Sequence, residues 1–268
     1  MVRVFLVLVT SVFVSAAYGA DVVSIQLASP LELKAAAQNS VVSVIDGDTL
    51  VLEDGQEVRL TGIQAPKLPL GRRNFPTWPL ASDADVALEG LAVGQVVGLY
   101  IDGNGQDRHR RILAHVVNEN GVWLQLRMIE LGMARVYTFS DNRRLAAALL
   151  VAERAARKTR KGIWSLDYYA VRSADPSTLA RDFGTFQLIE GTVSDVAKVR
   201  SRIYLNFGDD YRTDFTISID RAAWPLFEEV GLDPLSLAHR SVRVRGWVKD
   251  FNGPLVDVTH PEQIEILP

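Results

Sequence analysis

The chain has 268 residues, 48% of them hydrophobic, with 29 basic and 32 acidic side chains and a formal net charge of −3. That balance excludes both a charge-rich disordered chain and a polycationic nucleic-acid condenser. Cysteine is absent, which excludes disulfides, thiolate metal sites and a cysteine nucleophile.

Residues 1–20 stand apart. Arg3 precedes the apolar run "VFLVLVTSVFV", and "SAAYGA" supplies small residues for a cleavage site. This is the layout of a secretory signal peptide, and the apolar run is short for a bilayer span. The expectation is a secreted or periplasmic protein, off the membrane once the peptide is removed. Residues 21–40 are weakly patterned and read as a leader.

From Val41 the pattern is β. "VVSVI" runs into Asp46-Gly47, "TLVL" into Asp54-Gly55, and "EVRLTGI" follows. Two Asp-Gly pairs between short alternating runs predict a three-stranded meander. "LPLGRRNFPTWPL" reads as a loop. "ASDADVALEGLAVG" predicts a helix capped by Ser82 or Asp83 and stopped by Gly94. "QVVGLYI" and "RILAHVV" predict strands joined by the loop "DGNGQDRHR". "VWLQLRMIELGMA" has helical spacing. Residues 142–162 predict an amphipathic helix with Leu145, Ala148, Leu149 and Ala152 on its apolar stripe.

Residues 166–185 read as a linker. Strands then follow in "QLIEGTVSDV", "RIYLNFG" and "DFTISI", a short helix in "RAAWPLFEEVG", and strands in "SVRVRGWVKD" and "PLVDVTH". Three strands, a helix and two strands is the order of a small Greek-key barrel of the OB type. The fold class is therefore mainly β with α, in two units spanning 41–165 and 186–268. The second unit carries more acids than bases, so a general phosphate-backbone role suits it poorly. Its Tyr204, Phe207, Tyr211, Phe215 and Trp247 either stack bases or fill the barrel.

"VIDGDTLVL", "VRLTGIQAP", "DRHRRILAHV", "LGMARVY" and "KGIWS" stand in one order across 41–165. In this the segment resembles the staphylococcal-nuclease-like (thermonuclease) family. The resemblance implies an OB barrel with packed helices, with the second, smaller OB-like barrel attached. It also implies Ca²⁺-assisted hydrolysis of DNA or RNA: two aspartates and a carbonyl hold the metal, two arginines bind the phosphate, and a glutamate activates water. On this chain Asp48 matches the first metal aspartate, with Asp46 and Thr49 as its neighbours. Arg59 and Arg111 match the phosphate arginines. Gln64 stands at the second metal aspartate, Ala65 at the carbonyl donor and Lys67 at the catalytic glutamate.

Gln64 offers an uncharged carbonyl oxygen, and Ca²⁺ sites weaken as charged ligands are lost. Lys67 as an ammonium has no lone pair to act as base, so a third phosphate contact suits it better. His109 is the nearby imidazole. Three readings follow. One is a secreted, metal-assisted nuclease using Asp48, Gln64, Arg59, Arg111 and Lys67. Another is a catalytically weak or inactive module for single-stranded DNA or RNA. The third is an envelope protein-interaction module acting through the C-terminal unit.

Overall fold

The computed structural model describes residues 28–268, and the expected signal peptide lies outside the described residues. Strand β1 (Lys34–Asp46) turns at Gly47 into β2 (Thr49–Leu52), followed by β3 (Glu57–Leu60) and the two-residue β4 (Ile63–Gln64). Helix α1 (Ala81–Ala92), β5 (Val96–Ile101), β6 (Ile112–Asn118), α2 (Leu124–Glu130), β7 (Arg135–Val136) and α3 (Ala146–Lys158) complete the first unit. The order β1-β2-β3-β6-β5 closes into a barrel. β3 and β6 run parallel, and the other barrel neighbours run antiparallel.

The inward residues Val41, Leu50, Leu52, Val58, Leu60, Leu99 and Val116 are all essentially buried. Their period of two is what the sequence pattern requires of strands wet on one face. β1 begins seven residues before Val41. Its first half is exposed and pairs with β5 through the backbone, so no apolar alternation marks it. Helix α1 buries Ala81, Ala84, Leu88 and Ala92, one stripe at helical spacing. Its N-cap is Leu80, in a left-handed conformation with no side-chain cap, rather than Ser82 or Asp83. The proline-rich loop sets this entry, because the Ala81 N–H bonds back to the Trp78 carbonyl. Helix α3 starts four residues later than the amphipathic pattern.

The second unit comprises β8 (Arg172–Ser173), α4 (Pro176–Leu179), β9 (Phe186–Thr192), β10 (Asp195–Val199), β11 (Arg202–Asn206) and β12 (Thr216–Asp220). It continues with α5 (Trp224–Glu229), β13 (Ser241–Asp250), β14 (Pro254–Val258) and β15 (Ile264–Ile266). The sheet order is β10-β11-β12-β14-β13-β9-β8, with β15 added on β13. This is a curled half-barrel, not a closed ring. The long β13 bends across it, pairing with β9 up to Trp247 and with β14 from Val248. The 166–185 segment is packed rather than free. Tyr169 is buried and donates to the Pro79 carbonyl at 2.8 Å, and β8 pairs with β9.

The two units share a core. Ile163, Trp164 and Tyr169 pack with Phe186 and Leu188, and Trp78 and Tyr137 border them. Beside this cluster Arg245 of β13 is 1% exposed and forms ion pairs with Glu153 of α3 at 2.8 Å and Glu265 of β15 at 2.6 Å. Glu153 also accepts the Val136 N–H at 2.8 Å. No helix among the described residues is long and apolar enough to cross a membrane.

Candidate functional site

The Asp46-Gly47-Asp48 turn joins β1 to β2 and faces the end of β4. Asp48 is fully buried. Its Oδ2 accepts the Ala65 N–H at 2.8 Å and lies 3.2 Å from an Arg59 guanidinium nitrogen. Its Oδ1 accepts Lys67 Nζ at 2.5 Å and the Thr49 hydroxyl at 3.4 Å. Lys67 Nζ also donates to Asp46 Oδ2 at 2.9 Å. The ammonium therefore sits between the two carboxylates. Both Asp48 oxygens are occupied by the protein itself.

The electrostatics follow from this placement. Burial opposes ionisation of Asp48, but the Arg59 and Lys67 cations override it and hold the carboxyl well below the usual carboxylate range. Asp46 moves the opposite way, raised by burial and then by the neighbouring Asp48 charge. Asp85 on α1 is pushed up to about 6 by burial, with Asp46 and Glu89 adding to it. Its Oδ1 has no hydrogen-bond partner among the described residues. Helix α1 presses directly on the turn. A Cβ added at Gly47 would come within 2.7 Å of the Ala84 Cβ and 2.8 Å of the Ala65 Cβ. That close approach is why the turn carries glycine.

Arg59 is committed to the fold. One terminal nitrogen donates to the carbonyls of Leu60 at 2.7 Å and Asp48 at 3.3 Å, and the other donates to the carbonyl of Ile63 at 2.8 Å. With the Asp48 ion pair added, both terminal nitrogens are in use. Gln64 is taken as well. Its Oε1 accepts two N–H groups of Arg135, at 3.0 and 2.7 Å. Arg135 is buried and has no carboxylate partner among the described residues. Its guanidinium lies over the Phe186 ring at 4.7 Å and beside Trp78 and Tyr169 at 5.7 and 6.0 Å. Desolvation lowers its pKa to about 10.

The structure thus brings Asp46, Asp48, Arg59 and Lys67 together. Gln64 adjoins them on β4 but faces Arg135. Arg111 sits just before β6 and is held by Asp107 through its Nε at 2.8 Å and a terminal nitrogen at 2.7 Å. His109 is exposed in the same loop, and Arg108 donates to it. Two participants escaped the sequence reading. Arg135 lies in "GMARVY", where a cation inside an apolar run was the available signal. Asp85 had none.

These donors do not suit Ca²⁺, which takes six to eight oxygens. Asp48 and Asp46 already share an ammonium, and the Gln64 oxygen is turned to Arg135. Among the described residues no three His, Asp or Glu side chains come together as a metal site.

Residues 57–166 match the family model described as staphylococcal nuclease homologue. The chain is 31% identical over 133 residues to a thermonuclease of Staphylococcus hyicus, covering 47% of this chain and 74% of that protein. It is 30% identical over 155 residues to an uncharacterised protein of Bacillus anthracis, covering 55% of this chain and 71% of that one. With the ordered motifs and the closed five-stranded barrel, these matches establish that the chain belongs to the staphylococcal nuclease family, a family of nuclease-type function.

Proposed function

We propose that this chain is a nucleic-acid-binding member of the family in which the metal-assisted hydrolytic centre is closed by its own side chains. One observation carries the reading: the Lys67 ammonium forms ion pairs with both Asp46 and Asp48. Arg59 supports it, since its terminal nitrogens are spent on backbone carbonyls and Asp48. A guanidinium so engaged has no open fork for a scissile phosphate. A lysine in a two-carboxylate cage also has no lone pair to act as general base. Binding then rests on exposed cations outside the closed centre, among them Arg73, Arg108 and Arg110. The expected signal peptide at residues 1–20 favours a place outside the cytoplasm.

The test uses labelled single-stranded DNA and RNA, with and without Ca²⁺, Mg²⁺ or Mn²⁺. The expected outcome is salt-sensitive binding that EDTA leaves unchanged, with no cleavage above background at high protein concentration. Cleavage abolished by EDTA would overturn the reading and restore the metal-assisted nuclease. That activity requires Lys67 to leave both carboxylates.

A further inference from the structure

Exposed aromatic rings lie at the junction of the two units. Phe139 is 52% exposed and Trp247 is 43% exposed. Between them stands Tyr137, half-buried, with its ring centroid 5.0 Å from Phe139 and edge-on to it. The Trp247 indole N–H donates to the Tyr137 hydroxyl at 3.1 Å. Beneath lies the buried Phe186, 4.9 Å from Tyr137 and 6.3 Å from Trp247. Tyr137 and Phe139 follow β7 of the first unit, whereas Trp247 and Phe186 are opposite partners in the β13–β9 ladder of the second. Neither unit alone has the whole row.

The row borders both the closed centre and the basic loop. The Tyr137 N–H bonds the Gly62 carbonyl at 2.9 Å, one residue from β4. Arg135, two positions earlier on the same side of β7, shares the Phe186 ring and holds Gln64. On the other side, the 102–111 loop is stitched to the segment after Phe139. Asp102 accepts the Arg144 N–H at 2.9 Å, and Gly103 approaches the Asp141 carbonyl so closely that a Cβ would meet it at 1.6 Å. That loop exposes Arg108 and Arg110, and Arg144 beside it is 69% exposed at its side chain. Of the acids on this face, Asp107 is paired with Arg111, Glu229 and Glu262 with Arg143, and Asp102 with Arg144 at 3.8 Å, and exposed Asp141 has no ion-pair partner among the described residues.

We infer that Tyr137, Phe139 and Trp247 form one composite platform on which unpaired bases of a single nucleic-acid strand stack, while Arg108, Arg110 and Arg144 meet its phosphates. This rests on the proposed binding function and gives the second unit a part in it. Stacking on exposed rings is tolerant of sequence, because every base has a π face, whereas a duplex hides those faces. A row of rings flanked on one side by exposed guanidinium groups matches a strand whose bases and phosphates lie on opposite edges, with Arg144 turning to a phosphate from its long contact with Asp102. The acidity of the second unit does not oppose this, because it contributes a ring rather than phosphate contacts.

The test measures fluorescence anisotropy with the whole chain and three labelled probes about twenty nucleotides long: single-stranded oligothymidylate, an abasic strand and a duplex. The expected result is binding of oligothymidylate about tenfold or more tighter than of the abasic strand or the duplex. Trp247→Ala and Phe139→Ala should each weaken oligothymidylate binding by about tenfold and leave abasic-strand binding unchanged. Trp247→Phe should keep most of the affinity, which separates stacking from a loss of structure. Equal affinity for the abasic strand, or alanine variants that bind oligothymidylate like the parent, would overturn the platform while leaving nucleic-acid binding intact. Absence of binding to any probe would overturn both.

Discussion

Replacing Lys67 by methionine keeps the stem and removes the charge. Asp46 and Asp48 then face each other with Arg59 as their one cationic neighbour. At contacts of 2.9 and 2.5 Å, each ion pair is worth about 6 kcal/mol of attraction at an effective dielectric of about 20. Desolvation offsets much of that, and removing one partner of a buried pair costs about 3–5 kcal/mol net. At about 2–4 °C per kcal/mol for a chain of this size, the melting temperature should fall by roughly 6–20 °C. The same change empties the cation position. Two carboxylates with few further ligands make a weak Ca²⁺ site, with Kd in the range of about 10⁻⁴–10⁻³ M. At about 10 mM Ca²⁺ the variant should therefore regain about 1.4–2.7 kcal/mol. The parent should gain nothing, because Lys67 holds the position. The assay is a thermal melt of both proteins in CaCl₂ and in NaCl of matched ionic strength. A parent that stabilises in Ca²⁺ as much as the variant does, or a variant that melts like the parent, would refute the placement of the ammonium between the aspartates.

Restoring the family's acids with Gln64→Asp and Lys67→Glu should not by itself restore a strong Ca²⁺ site, because Arg135 captures the new carboxylate at position 64. Adding Arg135→Met should tighten Ca²⁺ by about tenfold or more in calorimetric titration, since Ca²⁺ affinity follows ligand charge. Gly47→Ala forces a methyl against Ala84 and Ala65 and should cost about 1–3 kcal/mol in urea unfolding. His115 and His260 are held neutral by burial, with pKa values lowered to about 3 and about 4. The unfolded chain takes up their protons below about 6.5, so stability falls with decreasing pH from there to about 4, by about 1.4 kcal/mol per unit for each histidine. His115→Leu should remove one of these two contributions from the slope of stability against pH.

The barrel was legible because its strands alternate between core and solvent and its hairpins carry Asp-Gly turns. Segments held by backbone pairing alone were not. Lys34–Ser40 joins β5 without burying a face, so nothing in "KAAAQNS" marked a strand. The cap of α1 was misplaced because the preceding loop, rather than a polar side chain, sets its first turn. At the site, the residues that depart from the family pattern were visible in sequence, but their partners were not. Lys67 read as a phosphate contact because its distance from Asp46 and Asp48 depends on the path of the 66–80 loop. Arg135 lies 71 positions from Gln64, and their pairing follows from the β4–β7 ladder, which is too short to announce itself.

The Arg245 cluster bears on how this protein can be taken apart. Glu153 comes from one unit, whereas Arg245 and Glu265 come from the other, and all three are withdrawn from water. Separated, the first unit would lose the Arg245 counter-charge of Glu153, and the second would keep Arg245 with Glu265 as its one remaining ion-pair partner. A proteolytic nick in the 166–185 segment would thus cut the chain without parting its halves. The two units therefore hold together as one folded piece.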